Sequence, residues 1–209
     1  MDQETVWNPI SEPWQKFRQK PPFEVEKFIE KQNGKILDLG CGTGRNLFNN
    51  KKLTYYCVDF SIRMLGLCEN YVNDKKIKAL LFKANCWNLP FKENYFDSCI
   101  FISTLHCIKG KRNQLNTLKE IYRVLKPGAN VMISTWAYEN NKRIGKINKE
   151  GYLDWKSQGK VYSRYVYFYE KEELKKILTD IGFKIINFDE KELPGSKHSR
   201  KNIIIYCQK

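Results

Sequence analysis

Between Ile36 and Phe101, short apolar runs alternate with stretches in which apolar residues recur every three or four positions. That is the rhythm of strand, helix, strand. Ile36-Leu37-Asp38-Leu39 reads as a buried strand running into a glycine-rich turn and then a helix start. Tyr55-Tyr56-Cys57-Val58 predicts a second strand, Ile77 to Phe82 a third and Ser98 to Ile102 a fourth. Ser61 suits the N-cap of a helix from Ile62 to Val72, where Met64, Leu65, Leu67, Cys68, Tyr71 and Val72 recur at helical spacing. Gln114 to Leu125 predicts an amphipathic helix stopped by Pro127-Gly128, and Asn130 to Thr135 a fifth strand. The fold class is α/β with a doubly wound, mostly parallel sheet.

Beyond Trp136 the periodicity stops. Ala137 to Arg164 is rich in Asn, Lys, Gly and Tyr and reads as an insertion. Regularity returns with a helix from Glu170 to Ile181 closed by Gly182, then strands at Phe183 to Phe188 and Asn202 to Cys207 flanking a polar loop, Leu193 to Arg200. At the other end, Val6 to Lys20 carries Trp7, Trp14 and Phe17, and Pro21-Pro22 separates it from a helix over Phe23 to Lys31. Those aromatics form either a lid or a cover for the sheet. The whole predicts a seven-stranded sheet with an N-terminal helical lid.

Composition narrows the class. At 209 residues and 42% hydrophobic, the chain can bury a core and is no disordered tail. No run approaches the roughly 20 apolar residues of a membrane helix, and the start Met1-Asp2-Gln3-Glu4 is acidic where a secretory leader is basic. A cytoplasmic, membrane-free protein is expected. Cysteines at 41, 57, 68, 86, 99, 107 and 207 include no Cys-x-x-Cys pair, and there are two histidines, so no metal site is expected. Thiols in apolar runs act as small hydrophobes in a reducing compartment. Lys and Arg number 37 against 23 acids, a net charge of +14, with a pI near 9.4. That excess points to a polyanionic partner, with lysines that merely solvate helix faces as the alternative.

The chemistry concentrates in Asp38-Leu39-Gly40-Cys41-Gly42-Thr43-Gly44. Glycines after a strand let a ligand lie against the backbone, and their spacing is not the dinucleotide Gly-x-Gly-x-x-Gly. Asp38 ahead of the turn suits a cationic ligand. Asp59 ends the second strand where a carboxylate accepts both ribose hydroxyls of a nucleoside.

With Asn88-Leu89-Pro90-Phe91, Phe96-Asp97 and Leu125-Lys126-Pro127-Gly128, this stretch resembles the class I S-adenosylmethionine-dependent methyltransferases over roughly residues 30 to 136. The resemblance implies S-adenosylmethionine as cofactor. It places cofactor contacts at Asp38, Gly40, Gly42, Gly44, Asp59, Phe60, Asn85, Cys86 and Ser103, with Asn85 standing where an aspartate is common. It also implies a single domain over 1–209: lid and helix 1–33, cofactor-binding core 34–136, substrate-facing insertion 137–168, and C-terminal helix and final strands 169–209.

A narrower likeness extends along nearly the whole chain. Val6-Trp7-Asn8-x-Ile10-x-x-x-Trp14-x-x-x-Arg18-x-Lys20-Pro21, Ser103-Thr104-Leu105-His106, Ser134-Thr135-Trp136-Ala137, Arg164-Tyr165-x-Tyr167-Phe168 and Ser199-Arg200-x-Asn202 look like the tRNA wobble-uridine methyltransferases, including the AlkB-homologue methyltransferase domain. Cys107, Ala129 and Asn8 depart from that family's usual histidine, glycine and aspartate. The likeness implies esterification of 5-carboxymethyluridine to 5-methoxycarbonylmethyluridine on a tRNA anticodon stem-loop rather than DNA, with a small zinc-binding protein as a possible activator. A carboxylate acceptor is already ionised at neutral pH and needs alignment, not a general base. An arginine suits its grip, which makes Arg18, Arg164 and Arg200 the catalytic candidates, with His106 at the sheet edge. Tyr162, Tyr165, Tyr167, Phe168 and Tyr169 either stack a splayed base or form a strand with a core face. The rival readings are a small-molecule carboxyl or heteroatom methyltransferase and a catalytically idle RNA-binding subunit. The charge disfavours the first, the intact turn and Asp59 the second.

Overall fold

A computed structural model describes residues 3–138, 148–157, 159–192 and 201–209. Three short helices come first: α1 (Glu4–Trp7), α2 (Ser11–Phe17) and α3 (Phe23–Glu30). There follow β1 (Gly34–Leu39), β2 (Leu53–Asp59), α4 (Ile62–Asp74), β3 (Ala79–Lys83), β4 (Phe96–Ile102), α5 (Lys111–Val124) and β5 (Leu125–Trp136). The chain closes with β6 (Glu150–Ser157), β7 (Lys160–Tyr167), α6 (Lys171–Ile181), β8 (Lys184–Glu192) and β9 (Lys201–Gln208). Seven strands form one sheet in the order β3-β2-β1-β4-β5-β9-β8, with β6 and β7 apart as a pair. The sheet is parallel except for β9, which runs antiparallel to both β5 and β8.

Alternation along the strands fills two cores. Ile36, Tyr55, Cys57, Ile100, Met132 and Ile204 face α3 and α4, where they meet Val25, Phe28, Ile29, Leu65 and Val72. Their neighbours Leu37, Tyr56, Cys99, Val131 and Ile205 face α5 and α6, against Leu118, Ile121, Leu174 and Leu178. Each such aliphatic contributes about 1.5–3 kcal/mol on burial, and both faces being covered explains the near-continuous apolar strands. Ser61 caps α4 as expected, its hydroxyl accepting the Met64 amide at 3.1 Å. Gly182, at φ 115°, closes α6.

Several boundaries and one element differ from the sequence reading. No helix follows the glycine turn. Gly44 and Leu47 amides donate to the Cys41 and Gly44 carbonyls, making two successive turns. Asn50 then accepts the Lys52 amide, the local competition that keeps asparagine out of helices, while Asn49 donates across the fold to the Lys76 carbonyl. Ile77 belongs to the exit of α4, its amide donating to the Val72 carbonyl at 2.8 Å, so the third strand begins two residues later. Helix α5 ends at Val124, ahead of Pro127, and β5 carries the Pro-Gly pair, where the register against β4 shifts between Phe96 and Ser98. Within the supposed insertion, the described part is a regular antiparallel hairpin, β6 paired to β7 from Glu150↔Tyr167 to Ser157↔Lys160. Only part of it alternates cleanly in burial, so period-two patterning does not reveal it. Among the described residues no helix is long and apolar enough to cross a membrane.

Candidate functional site

The strand order reverses at β1, and in open α/β sheets the ligand crevice lies outside the carboxyl ends of the strands at that switch point. A cavity of about 480 Å³ opens there, within the range of small-molecule sites. Its floor is the glycine turn. Gly40 and Cys41 amides both donate to the Val58 carbonyl, at 2.8 and 3.0 Å, pinning the turn to β2. Gly40 takes φ 69°, and a Cβ there would stand 2.4 Å from the Thr104 side chain. Gly42, at φ 55°, would point a Cβ at nothing within 4 Å. The first glycine serves packing, and the second leaves the cavity wall bare.

Asp59 is the buried acid of the wall. Its Oδ2 accepts the Gly42 amide and its Oδ1 the Ser61 amide, both at 2.9 Å. Burial pushes its pKa up to about 6, and those backbone donors hold it from rising further. The Phe60 amide adds a third backbone donor, and a carboxylate with about four lone-pair sites still keeps acceptor capacity toward the cavity. Phe60, Asn85, Cys86 and Ser103 share the wall. Ser103 sits at φ 55°, unusual for a residue with a side chain, with its amide held by the Ser134 carbonyl and hydroxyl at 3.0 Å each.

Two residues expected at the cofactor do not line the cavity. Gly44 is a packing glycine, since a Cβ there would lie 2.9 Å from Cys68 Sγ. Asp38 is wholly buried behind the turn. Desolvation drives its carboxyl well above the ordinary carboxylate range, with Arg45 and Asn46 opposing. It does not face a cationic ligand across the cavity.

The catalytic candidates are scattered. Arg18 is on the wall, its guanidinium 4.5 Å from the Trp14 ring centroid. Arg164 is 2% exposed and absent from the wall. Its guanidinium lies 5.3 Å from the Trp14 and Trp155 rings and 5.7 Å from that of Trp7. His106 is buried, stacked on Trp136 at 4.2 Å with Nδ1 3.4 Å from the Thr135 hydroxyl, and also off the wall. Arg200 lies outside the described residues, as does the Leu193 to Arg200 loop. Of the two readings of the tyrosine-rich segment, the structure takes the core one. Tyr165, Tyr167, Phe168 and Tyr169 are buried, with the three hydroxyls donating to Glu150, Glu173 and Gln114. Trp7 and Trp14 do reach the cavity, while Phe17 is exposed and packs edge-on to Trp155 at 6.0 Å.

Sequence reasoning missed Arg45, Trp87 and Lys109 on the wall. Lys109 had a usable signal, because it lies in the loop leaving β4, at the carboxyl edge of the sheet.

Residues 37–133 match the methyltransferase domain family. The chain carries a methyltransferase domain. Its cofactor is S-adenosylmethionine, and the bare Gly42 and the buried Asp59 carboxylate with free acceptor sites suit the amino-acid and nucleoside halves of such a group. The tRNA (carboxymethyluridine(34)-5-O)-methyltransferase of Arabidopsis thaliana is 33% identical over 118 residues, 56% of this chain and 28% of that protein. The mouse protein of the same description, ALKBH8, is 30% identical over 158 residues, 74% of this chain and 22% of that one. The chain thus spans about a quarter of the length of these relatives. Among solved structures, a S-adenosylmethionine-dependent methyltransferase from Methanosarcina mazei superposes with TM-score 0.74 at 20% identity, covering 91% of this chain and 98% of that one. A putative methyltransferase solved with the Trm112 methyltransferase activator of Haloferax volcanii gives TM-score 0.70 at 13% identity, covering 99% and 97%. The fold is that of the class I methyltransferases.

Proposed function

We propose that the chain is a S-adenosylmethionine-dependent tRNA methyltransferase that esterifies the carboxymethyl group of 5-carboxymethyluridine at the wobble position. The observation that carries this reading is the character of the cavity wall. Arg18 and Lys109 bring cations to it, and among the described residues no histidine lines it. Such a wall fits an acceptor that arrives as an anion and needs no proton removed. The curated relatives named above act, by their names, on carboxymethyluridine, and the +14 net charge suits an RNA partner.

In this reading the Gly40–Gly42 backbone cradles the methionine half of the cofactor, Asp59 accepts the ribose hydroxyls, and Phe60, Asn85 and Cys86 flank the adenine. When bound, the cofactor supplies a methyl group on a sulfonium. Arg18 and Lys109 would hold the substrate carboxylate and so position it for methyl transfer. α1 and α2 act as a lid, Trp7 and Trp14 excluding water while the geometry is held. Arg164 is reassigned from substrate grip to support of those tryptophans. His106, stacked on Trp136 and off the wall, is reassigned from the substrate to support of that indole. A small activator protein is a proposed partner, supported by the neighbour solved with Trm112.

The test is single-turnover transfer of a labelled methyl group to two anticodon stem-loops, one bearing 5-carboxymethyluridine and one unmodified uridine. Label on the first alone is expected. Equal labelling of both removes the carboxylate as acceptor, and labelling of free carboxylic acids in preference to either RNA favours the small-molecule enzyme.

A further inference from the structure

Three sulfurs meet beneath the glycine turn. Cys41 lies within the turn, Cys57 in β2 and Cys68 on α4, and their Sγ atoms are all within 4.8 Å of one another. All three are buried in the core on the α3–α4 face. Spacing along the chain conceals this, because each cysteine comes from a different element and none belongs to a Cys-x-x-Cys pair. Register makes it inevitable: β2 lies parallel to β1, with Cys57 opposite Asp38. The turn returns Cys41 over that strand, its amide on the Val58 carbonyl at 3.0 Å, and Cys68 descends from α4 to the same point.

We propose that Cys41, Cys57 and Cys68 form a three-sulfur site for a single soft, thiophilic cation of the Cu(I) type. Thiolate sulfur selects soft ions, and a metal–sulfur bond of about 2.3 Å places the corners of a trigonal site about 4 Å apart. Sulfurs already within 4.8 Å reach that spacing by small side-chain adjustments. Structural zinc takes four ligands, and among the described residues no fourth Cys, His, Asp or Glu donor joins the group. The donor set therefore fits an ion content with three sulfurs. Cys41 also lines the cavity, which gives the ion a way in. The thiol protons leave to solvent as the sulfurs take the ion. The bland alternative, three core thiols acting as small hydrophobes, predicts no such affinity.

The experiment is an anaerobic titration of the full chain with Cu(I) against a coloured Cu(I) chelator, followed by X-ray absorption of the loaded protein. One ion per chain is expected to be withheld from the chelator, with three sulfur neighbours at about 2.3 Å. Cys57→Ala and Cys68→Ala are each expected to lower the retained Cu(I) at least tenfold. Cys99→Ala and Cys207→Ala, buried cysteines outside the group, are expected to keep it. No retained ion, retention undiminished in Cys57→Ala, or a spectrum dominated by nitrogen or oxygen neighbours overturns the proposal. Should the cluster variants fail to fold, the ligand count in the wild-type spectrum decides alone. None of these readouts involves methyl transfer, so the site stands or falls independently of the proposed function.

Discussion

The Ser61 hydroxyl donates to Asn8 Oδ1 at 2.6 Å while accepting the Met64 amide at 3.1 Å. One side chain thus caps α4 and moors the segment between α1 and α2. Two residues earlier stands Asp59, whose Oδ1 takes the Ser61 amide at 2.9 Å. The N-terminal helices, the helix cap and the cavity acid are joined through a single residue. A second tie runs from the Tyr165 amide to Gln3 Oε1 at 3.0 Å, so β7 holds the start of α1.

Removing the mooring separates these roles. Asn8→Ala keeps the Ser61–Met64 cap bond but removes the Oδ1 that accepts the Ser61 hydroxyl and, at 3.5 Å, the Arg63 amide in the first turn of α4, and is expected to cost about 1–2 kcal/mol in urea unfolding. Its larger effect should be on the rate at which cofactor leaves, measured by stopped flow, because Trp7 and Trp14 lose an anchor. Ser61→Ala loses cap and tether together and should cost about 1–3 kcal/mol. An unchanged off-rate in Asn8→Ala means that these helices do not gate the cavity.

The glycines of the turn make a contrasting pair. Gly40→Ala meets the Thr104 side chain at 2.4 Å on a backbone at φ 69°, so strain and overpacking add to about 2 kcal/mol or more of lost stability. Gly42→Ala has open space and incurs only the left-handed backbone cost of about 1 kcal/mol. Its new methyl enters the cavity. Calorimetry is expected to show a folded Gly42→Ala with cofactor affinity down on the order of tenfold, about 1.4 kcal/mol. Wild-type affinity in that variant moves the cofactor away from this turn.

How far the chain announces this arrangement depends on whether a signal is local. The glycine turn, Asp59 and the Ser61 cap are each fixed by a few neighbouring residues, so the first half of the sheet and much of the cavity floor are readable directly. The helix assumed after the turn fails because two successive turns consume the span and the Asn50 side chain takes the Lys52 amide two residues on. The β6–β7 hairpin is hidden because its strands bury parts of both faces, which erases simple alternation. Arg164 looks like any cation in sequence, and only the meeting of α1, α2 and the hairpin puts three indole rings around it. The cysteine triad is equally nonlocal.

The acid of the cavity has a pH signature. Burial lifts Asp59 from the ordinary carboxylate value to about 6. The empty folded chain therefore holds that proton more tightly than the unfolded chain, and ionising Asp59 costs stability as pH rises through the window from about 4 to 6. Cofactor binding goes the other way, because ribose hydroxyls need the carboxylate. Affinity is expected to be level above neutrality and to fall roughly tenfold per unit below pH 6. Asp59→Asn should bind weakly with no such slope. Calorimetry across this range checks both limbs, and a flat wild-type profile removes Asp59 from the cofactor.

Two arginines near the cavity differ in what surrounds them, and that difference is measurable. Arg18 reaches the wall, with its guanidinium 4.5 Å from the Trp14 ring centroid. Arg164 is enclosed by Trp7, Trp14 and Trp155. A charge-assisted bond to a substrate carboxylate is worth about 1.5–3 kcal/mol, so Arg18→Ala should slow single-turnover transfer roughly 10–150-fold at saturating cofactor, with the melting temperature nearly unchanged. Arg18→Lys keeps the charge without the planar fork and should recover only part of the rate. Arg164→Ala instead empties a desolvated cation–π cage worth about 2 kcal/mol or more. Its signature is a lower melting temperature and weaker cofactor binding, with the transfer step in the saturated complex less affected than in Arg18→Ala. If Arg164→Ala slows transfer more than Arg18→Ala at full cofactor occupancy and equal stability, the substrate's carboxylate is held by Arg164 after all, and the tryptophans must part to expose it during turnover.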